Sequence, residues 1–237
     1  MVLGIMQPYF MPYLGYFSLI KHTDNFILFD TVQFIRHGWI ERNRILKPDE
    51  GWQYIQVPLI KAQGRATLIK DVLINNAENW QNKVLAQIQH YKKKAPYYYK
   101  VVNLLNTLFS DEYKDISSLN RASLQIVCDY LGFQRDLPVF SEMGVAIEPA
   151  NAPDEWALNI CKALGADSYI NPIGGTEFFD RAKYSNAGID ISFQKMELLE
   201  YEQKRTSFEP GLSIIDVLMF NTPEETNKLL DAFTLIR

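Results

Sequence analysis

Short apolar runs and helical stripes alternate at the start of the chain. Val2–Met6 is an apolar run that stops at Gln7-Pro8, where proline removes a backbone donor, and Asn25–Phe29 is a second such run. Between them, apolar side chains recur on one helical face over Tyr13–Lys21. A strand, a helix and a strand in this order predict a βαβ unit, which implies a parallel sheet with a right-handed crossover.

The same alternation returns in the last third of the chain. The pattern predicts strands at Ser168–Ile170 and Ile189–Phe193. It predicts helices over Pro153–Leu164, Glu177–Ala187, Ser213–Phe220 and Pro223–Ala232. Glycine follows each of the first two helices, as expected where a helix ends. These elements would extend the parallel sheet.

The middle of the chain has a different pattern. Residues 31–50 are rich in charged and polar side chains, and we predict a loop there. Strands are predicted at Trp52–Pro58 and Ile69–Ile74, and helices over Trp80–Tyr91, Tyr97–Phe109 and Ser117–Leu131. The prediction is a single α/β domain over residues 1–237, in which residues from about 78 to about 135 form a helical insertion or cap.

Composition excludes several classes of protein. The 24 Lys and Arg against 28 Asp and Glu give a net charge of −4, which argues against a nucleic-acid partner. The longest apolar stretch, Tyr9–Ile20, is shorter than the ~20 residues that span a bilayer, and no cation precedes Lys21 as in a secretory signal. We therefore expect a cytoplasmic protein. Two cysteines and three scattered histidines predict no metal site.

Four segments combine aromatic residues with proline, glycine or polar side chains. They are Met6–Phe17, Asp30–Phe34 with Gly38–Ile45, Asn171–Asp180, and Phe208–Leu218. In this order they resemble the motifs of the WbqC-like family, and the resemblance covers essentially the whole chain. Members of that family lie among genes for surface polysaccharides, including modified amino sugars. The resemblance therefore implies an enzyme of surface-glycan biosynthesis, of the O-antigen type.

A fainter resemblance concerns Tyr13-Leu14-Gly15-Tyr16. Its spacing and place are similar to the His-x-Gly-His motif of the nucleotidylyltransferases, which follows the first strand at a helix N-terminus. This likeness implies a Rossmann-like, nucleotidylyltransferase-like sheet. Tyrosines replace both histidines, and a neutral hydroxyl cannot stabilise phosphate charge as an imidazolium does. The helix N-terminus still offers backbone donors to an anion.

Candidate binding residues follow the first predicted strand. Gln7, Tyr9 and Tyr13 come directly after it, and Tyr16 lies one helical turn further on. Ligands of open α/β sheets bind beyond the carboxyl ends of parallel strands. The alternative is that the tyrosines only pack, with their hydroxyls at the surface.

A second group of candidates follows the second predicted strand. It consists of Gln33, Trp39, Arg42, Asn43 and Arg44, and Arg36 belongs to the same group of arginines. The guanidinium fork suits a carboxylate or a diphosphate, and tryptophan can stack on a base or on a sugar face. The alternative is a solvated basic loop.

The third group lies where a predicted strand meets a predicted helix. Gly174, Gly175 and Thr176 would present backbone amides to an anion, and Ser213 would do so at another helix start, although both places are also ordinary turns or caps. Three acidic residues are the candidates for a general base, namely Glu177, Asp180 and Asp30. The alternative for the first two is that they only complement the helix dipole.

Three functions remain open. The first is transfer of an acyl or aminoacyl group to a nucleotide-linked amino sugar. The second is a nucleotidyl- or adenylate-forming transferase with a degenerate motif, and the third is a non-catalytic sugar-nucleotide binding protein. The expected partner is a nucleotide or nucleotide-sugar, and the co-substrate is either an acyl or aminoacyl donor or ATP with Mg²⁺. The oligomeric state stays open.

Overall fold

The computed structural model describes residues 1–60 and 66–237. Its strands are β1 (Val2–Met6), β2 (Asn25–Leu28), β3 (Arg42–Leu46), β4 (Trp52–Gln56), β5 (Ser168–Pro172), β6 (Asp190–Met196) and β7 (Phe233–Ile236). Its helices are α1 (Leu14–His22), α2 (Trp80–Gln87), α3 (Tyr98–Phe109), α4 (Ile116–Leu131), α5 (Glu155–Leu164), α6 (Arg181–Asn186), α7 (Ile214–Phe220) and α8 (Pro223–Leu230).

The main sheet has five strands in the order β2-β1-β5-β6-β7. The first four of these are parallel, and β7 is antiparallel to β6. β3 and β4 form a separate antiparallel pair. The predicted α/β class with a mostly parallel sheet is confirmed.

Helices cover both faces of the sheet, because side chains alternate along each strand. Leu3 and Ile27 point to the face covered by α5 and α6. Phe26 and Leu28 point to the opposite face, where α1, α7, α8 and the helices α2–α4 share one apolar cluster. Both sets are nearly fully buried.

The helices α2–α4 are also joined to the rest by polar contacts. The Asn120 side-chain amide donates to the carbonyls of Pro8 and Ile40, each at 2.9 Å. The Tyr97 amide, at the start of α3, donates to the Met219 carbonyl at 3.1 Å. That residues 78–135 are an insertion into a single domain stays a prediction.

The predicted loop over residues 31–50 is wrong at Arg42–Leu46, which is the strand β3. The alternation of buried and half-buried positions in this strand is not visible as an apolar pattern, because polar residues occupy most of these positions. Asn43 and Ile45 are buried on one face, while Arg42 and Arg44 lie half-buried on the other, against aromatic rings of β4. The guanidinium groups of Arg42 and Arg44 stack on aromatic rings of β4, at strand positions where apolar side chains are normally expected.

The predicted strand Ile69–Ile74 is wrong, since a 3-10 turn occupies Ile69–Asp71. This segment runs between loops and the start of α4, where it makes only isolated bridges, such as Leu73 with Asp115. None of the strands in the described part of the chain pairs with it.

Two boundaries near the C-terminal end also differ. The helix predicted from Glu177 begins only at Arg181, because the ring of Phe179 turns inward against Tyr169 and Tyr184. The helix predicted to end at Ala232 ends at Leu230, and the unpredicted strand β7 follows it. β7 is short and largely exposed, so burial left little pattern in its sequence.

Candidate functional site

A cleft of about 520 Å³ opens beyond the carboxyl ends of β1 and β5. From β1 the chain continues to β2 on one side of the sheet, and from β5 it continues to β6 on the other. The gap between β1 and β5 is therefore the switch point of the sheet, where open α/β folds bind ligands. Seven predicted binding residues line the cleft, namely Tyr9, Tyr13, Tyr16, Trp39, Asn43, Arg44 and Gly174.

Three tyrosines form one wall of this cleft, and each is held differently. The Tyr16 hydroxyl donates to the Gln7 carbonyl at 2.8 Å, so it fixes the turn after β1. The hydroxyl end of the Tyr13 ring lies against Gly15, where an added Cβ would overlap it. Gly15 is thus needed for close approach. Burial raises the pKa of Tyr9 and Tyr13, so both phenols stay protonated donors at neutral pH.

The turn between β1 and α1 is strained and is held in place by its neighbours. Met11 has a φ of 42°, a left-handed value that costs a non-glycine residue about 1–3 kcal/mol. The Ser213 hydroxyl donates to the Met11 carbonyl at 2.7 Å, and the Asn43 side-chain amide donates to the Phe10 carbonyl at 3.2 Å. The start of α7 and strand β3 therefore position Tyr13 at the cleft.

Arg44 supplies the positive charge of the cleft. Its guanidinium carbon lies 5.4 Å from the Trp39 ring centroid and 5.1 Å from the Trp52 ring centroid. One Nη donates to the Gly211 carbonyl at 3.2 Å, and its buried Nε has no acceptor among residues 1–60 and 66–237. No carboxylate of the described residues forms an ion pair with it. An anionic ligand group would neutralise this charge.

Arg42 lies on the same strand but does not line the cleft. Its guanidinium carbon is 4.0 Å from the Tyr54 ring centroid, and it donates to the His37 carbonyl. It stiffens the loop before β3, which carries Trp39.

Several other predicted residues have structural tasks outside the cleft. Gln7 gives its carbonyl to Tyr16, Gln33 forms a bridge with Leu68, and Ser213 is fully buried at the cap of α7. Gly175 packs under the Asn171 amide, where a Cβ would overlap, and Thr176 donates to the Ile173 carbonyl. None of these five residues lines the cleft.

The three predicted carboxylates also lie outside the cleft. Asp30 is 1% exposed, and its two oxygens accept bonds from the Ser141 amide at 3.1 Å and hydroxyl at 2.7 Å. It borders a separate polar cavity of about 440 Å³. Asp180 caps α6 by accepting from the Ala182 amide at 2.9 Å, while Glu177 is exposed.

The residues that line the cleft supply hydroxyl and amide groups, aromatic rings and one cation. No aspartate, glutamate or histidine of the described residues lines it. Within the same residues, no group of three or more His, Cys, Asp and Glu is arranged to hold a metal ion. The aromatic walls and a single cation suit a ligand that has one anionic group and a planar or apolar body.

Leu198 also lines the cleft and was not singled out from the sequence, whereas Gly211 lies within the motif Phe208–Leu218. Leu198 and Gly211 line the cleft from a segment that is anchored to Asp216 of α7. Asp216 is fully buried and accepts bonds from Tyr201 and Tyr91 at 2.6 Å and from Gln203 at 3.0 Å. Burial raises the pKa of Asp216 to about 6. An acidic residue inside the otherwise apolar helix α7 was the signal available in the sequence.

Comparison with known proteins gives one family and one relative. The model described as the WbqC-like protein family matches residues 7–228. The uncharacterized protein Rv1507c of Mycobacterium tuberculosis is 29% identical over 225 residues, which cover 94% of each chain. No solved structure gives a significant match. The described residues include no helix with the length and apolar character needed to cross a membrane.

Proposed function

The chain belongs to the WbqC-like protein family, and from this premise we propose that it is an enzyme of surface-glycan biosynthesis. The proposed reaction is transfer of an acyl or aminoacyl group to a nucleotide-linked amino sugar. The observation that carries the proposal is the position of Arg44, which forms no ion pair with a described carboxylate, in an aromatic cleft at the switch point of the sheet. We also propose that the sheet is Rossmann-like, since its strand order reverses beside the first strand.

Each group in the cleft has a proposed role. Arg44 binds a phosphate or carboxylate of the ligand, and Trp39 covers a base or a sugar face. The protonated phenols of Tyr9 and Tyr13 donate hydrogen bonds. The Tyr16 hydroxyl has no such role, because it is bonded to Gln7.

A base must take the proton of the acceptor amine. Glu177 and Asp180 are the candidates that we retain, since both are exposed on the segment that follows the cleft residue Gly174. Asp30 is not retained, because both of its oxygens accept hydrogen bonds from Ser141.

Non-catalytic binding of a sugar nucleotide is the second candidate function. It is favoured by one observation, namely that no carboxylate or histidine among the described residues lines the cleft. Nucleotidyl transfer is disfavoured because tyrosines stand in place of the histidines and one of the two hydroxyls is already bonded.

A thermal-shift panel of nucleotides, nucleotide-linked amino sugars, acyl donors and ATP with Mg²⁺ separates these functions. A ligand at one hundred times its Kd stabilises the fold by ~2.7 kcal/mol. We expect a nucleotide-linked amino sugar to raise Tm and to be acylated when a donor is added. Stabilisation by this sugar without turnover of any donor would favour binding alone. A panel in which only ATP with Mg²⁺ raises Tm would contradict the proposal.

A further inference from the structure

A segment of the chain outside the cleft carries only positive charge. Residues 79–110 contain five lysines, Lys83, Lys92, Lys93, Lys94 and Lys100, and no aspartate or glutamate. The whole chain has a net charge of −4. Positive charge is therefore concentrated on one stretch of an acidic protein. A region whose charges all have one sign indicates an interaction surface.

The structure gathers most of these lysines around the turn between α2 and α3. Lys92, Lys93, Lys94 and Lys100 are all exposed, and no described carboxylate forms an ion pair with them. Lys94 also lines a surface pocket with Asp49, Glu50 and Glu202, so the charge offered to a partner is mainly that of Lys92, Lys93 and Lys100.

Two tyrosines lie among these lysines. The Lys92 Nζ is 5.8 Å from the Tyr99 ring centroid, and the Lys100 Nζ is 5.4 Å from the Tyr97 ring centroid. Tyr99 is 63% exposed, which is unusual for a large aromatic side chain. We call these residues the lysine–tyrosine patch, which comprises Lys92, Lys93, Lys94, Tyr97, Tyr99 and Lys100.

We propose that the lysine–tyrosine patch docks the protein reversibly on an anionic phospholipid surface. Lysine presents a compact charge on a flexible apolar stem, and tyrosine has an apolar ring with a polar tip, so both side chains suit the headgroup layer. Residues 79–110 contain no arginine, the residue that binds nucleic-acid phosphates and guanine edges in a bidentate way. This composition favours a lipid surface over a nucleic acid.

The expected binding is modest and electrostatic. Each lysine close to an anionic membrane surface contributes roughly a fivefold gain in partitioning. The patch lacks an inserted apolar anchor, so the attachment should be reversible and screened by salt. Docking does not depend on the function of the cleft.

Co-sedimentation with vesicles tests the proposal. We expect the protein to bind phosphatidylcholine vesicles that contain about 30% phosphatidylglycerol, not to bind pure phosphatidylcholine, and to be released between about 0.05 M and about 0.5 M salt. The triple variant Lys92→Gln, Lys93→Gln and Lys94→Gln should bind about a hundredfold more weakly.

A charge-matched variant controls for net charge. Lys47→Gln, Lys162→Gln and Lys195→Gln change three exposed lysines elsewhere and should leave vesicle binding as in the wild type. Both triple variants should keep the wild-type Tm, because the substituted side chains are exposed. Equal loss in the two variants, salt-independent binding, or binding to an RNA oligonucleotide but to no vesicle would overturn the proposal.

Discussion

Neither Arg44 nor Asp216 forms an ion pair with another residue in the described ranges 1–60 and 66–237. Arg44 lies half-buried between two tryptophans at the cleft, where a ligand can reach it. Asp216 is fully buried, and its direct hydrogen-bond donors are the neutral hydroxyls of Tyr91 and Tyr201 and the amide of Gln203. The first charge is thus suited to binding, whereas the second holds the segment of Tyr201 and Gln203 against α7.

The buried Asp216 carboxyl predicts a particular pH dependence of stability. Its pKa is raised from 3.8 to about 6 on folding, so the folded state binds the proton more tightly than the unfolded state. The stability from this group is fully present below pH about 4 and is lost as the pH rises through about 6. We expect the difference in unfolding free energy between the wild type and Asp216→Asn to change by about 3 kcal/mol across this window.

Urea unfolding at a series of pH values measures this difference. Other carboxyl groups titrate in both proteins and cancel in the comparison. If the two stability curves run parallel from pH about 4 to about 6, burial does not raise the pKa of Asp216 as described.

At the scale of elements, the sequence predicted the helices and strands whose apolar residues face the hydrophobic core. β1, α1, β2 and the helices α3–α5 were predicted because buried side chains recur along them with the right period. β3 was missed because the burial of its arginines depends on rings contributed by β4. A local pattern does not contain that cross-strand contact.

The Ser213 hydroxyl at the start of α7 connects this helix with the turn between β1 and α1. Removal of this hydroxyl should therefore lower the stability of the protein strongly. Ser213 caps α7 by accepting from the Ile215 amide and also donates to the Met11 carbonyl. Ser213→Ala should lower the unfolding free energy by about 2–4 kcal/mol, since a cap and a buried carbonyl partner are lost together.

Thr222→Ala is the matched control for that variant. Thr222 caps α8 in an exposed capping box and holds no strained turn, so its loss should cost only about 1 kcal/mol. Urea unfolding of both variants gives the comparison. Equal losses would contradict the idea that Ser213 stabilises the turn at Met11.

At the scale of the whole molecule, the cleft is assembled from segments that are far apart in the chain. The sequence indicated the edge of the sheet at which this cleft opens, because the carboxyl ends of parallel strands lie together. It could not show which side chains at that edge face the cleft. The orientation of Tyr13 depends on the φ of Met11, and the wall at Leu198 depends on the contacts of Asp216. The acidic candidates were chosen because they follow predicted strands, and the structure places them outside the cleft.

The central claim is that Arg44 binds the anionic group of the ligand, and calorimetric titration of a nucleotide-linked amino sugar tests it most directly. Arg44→Ala should weaken binding by between about tenfold and about a hundredfold, which corresponds to one lost hydrogen-bonded charge contact, without unfolding the protein. Arg36→Ala removes an exposed arginine that does not line the cleft and should leave the Kd unchanged. An unchanged Kd in Arg44→Ala, or an equal loss in both variants, would contradict the claim.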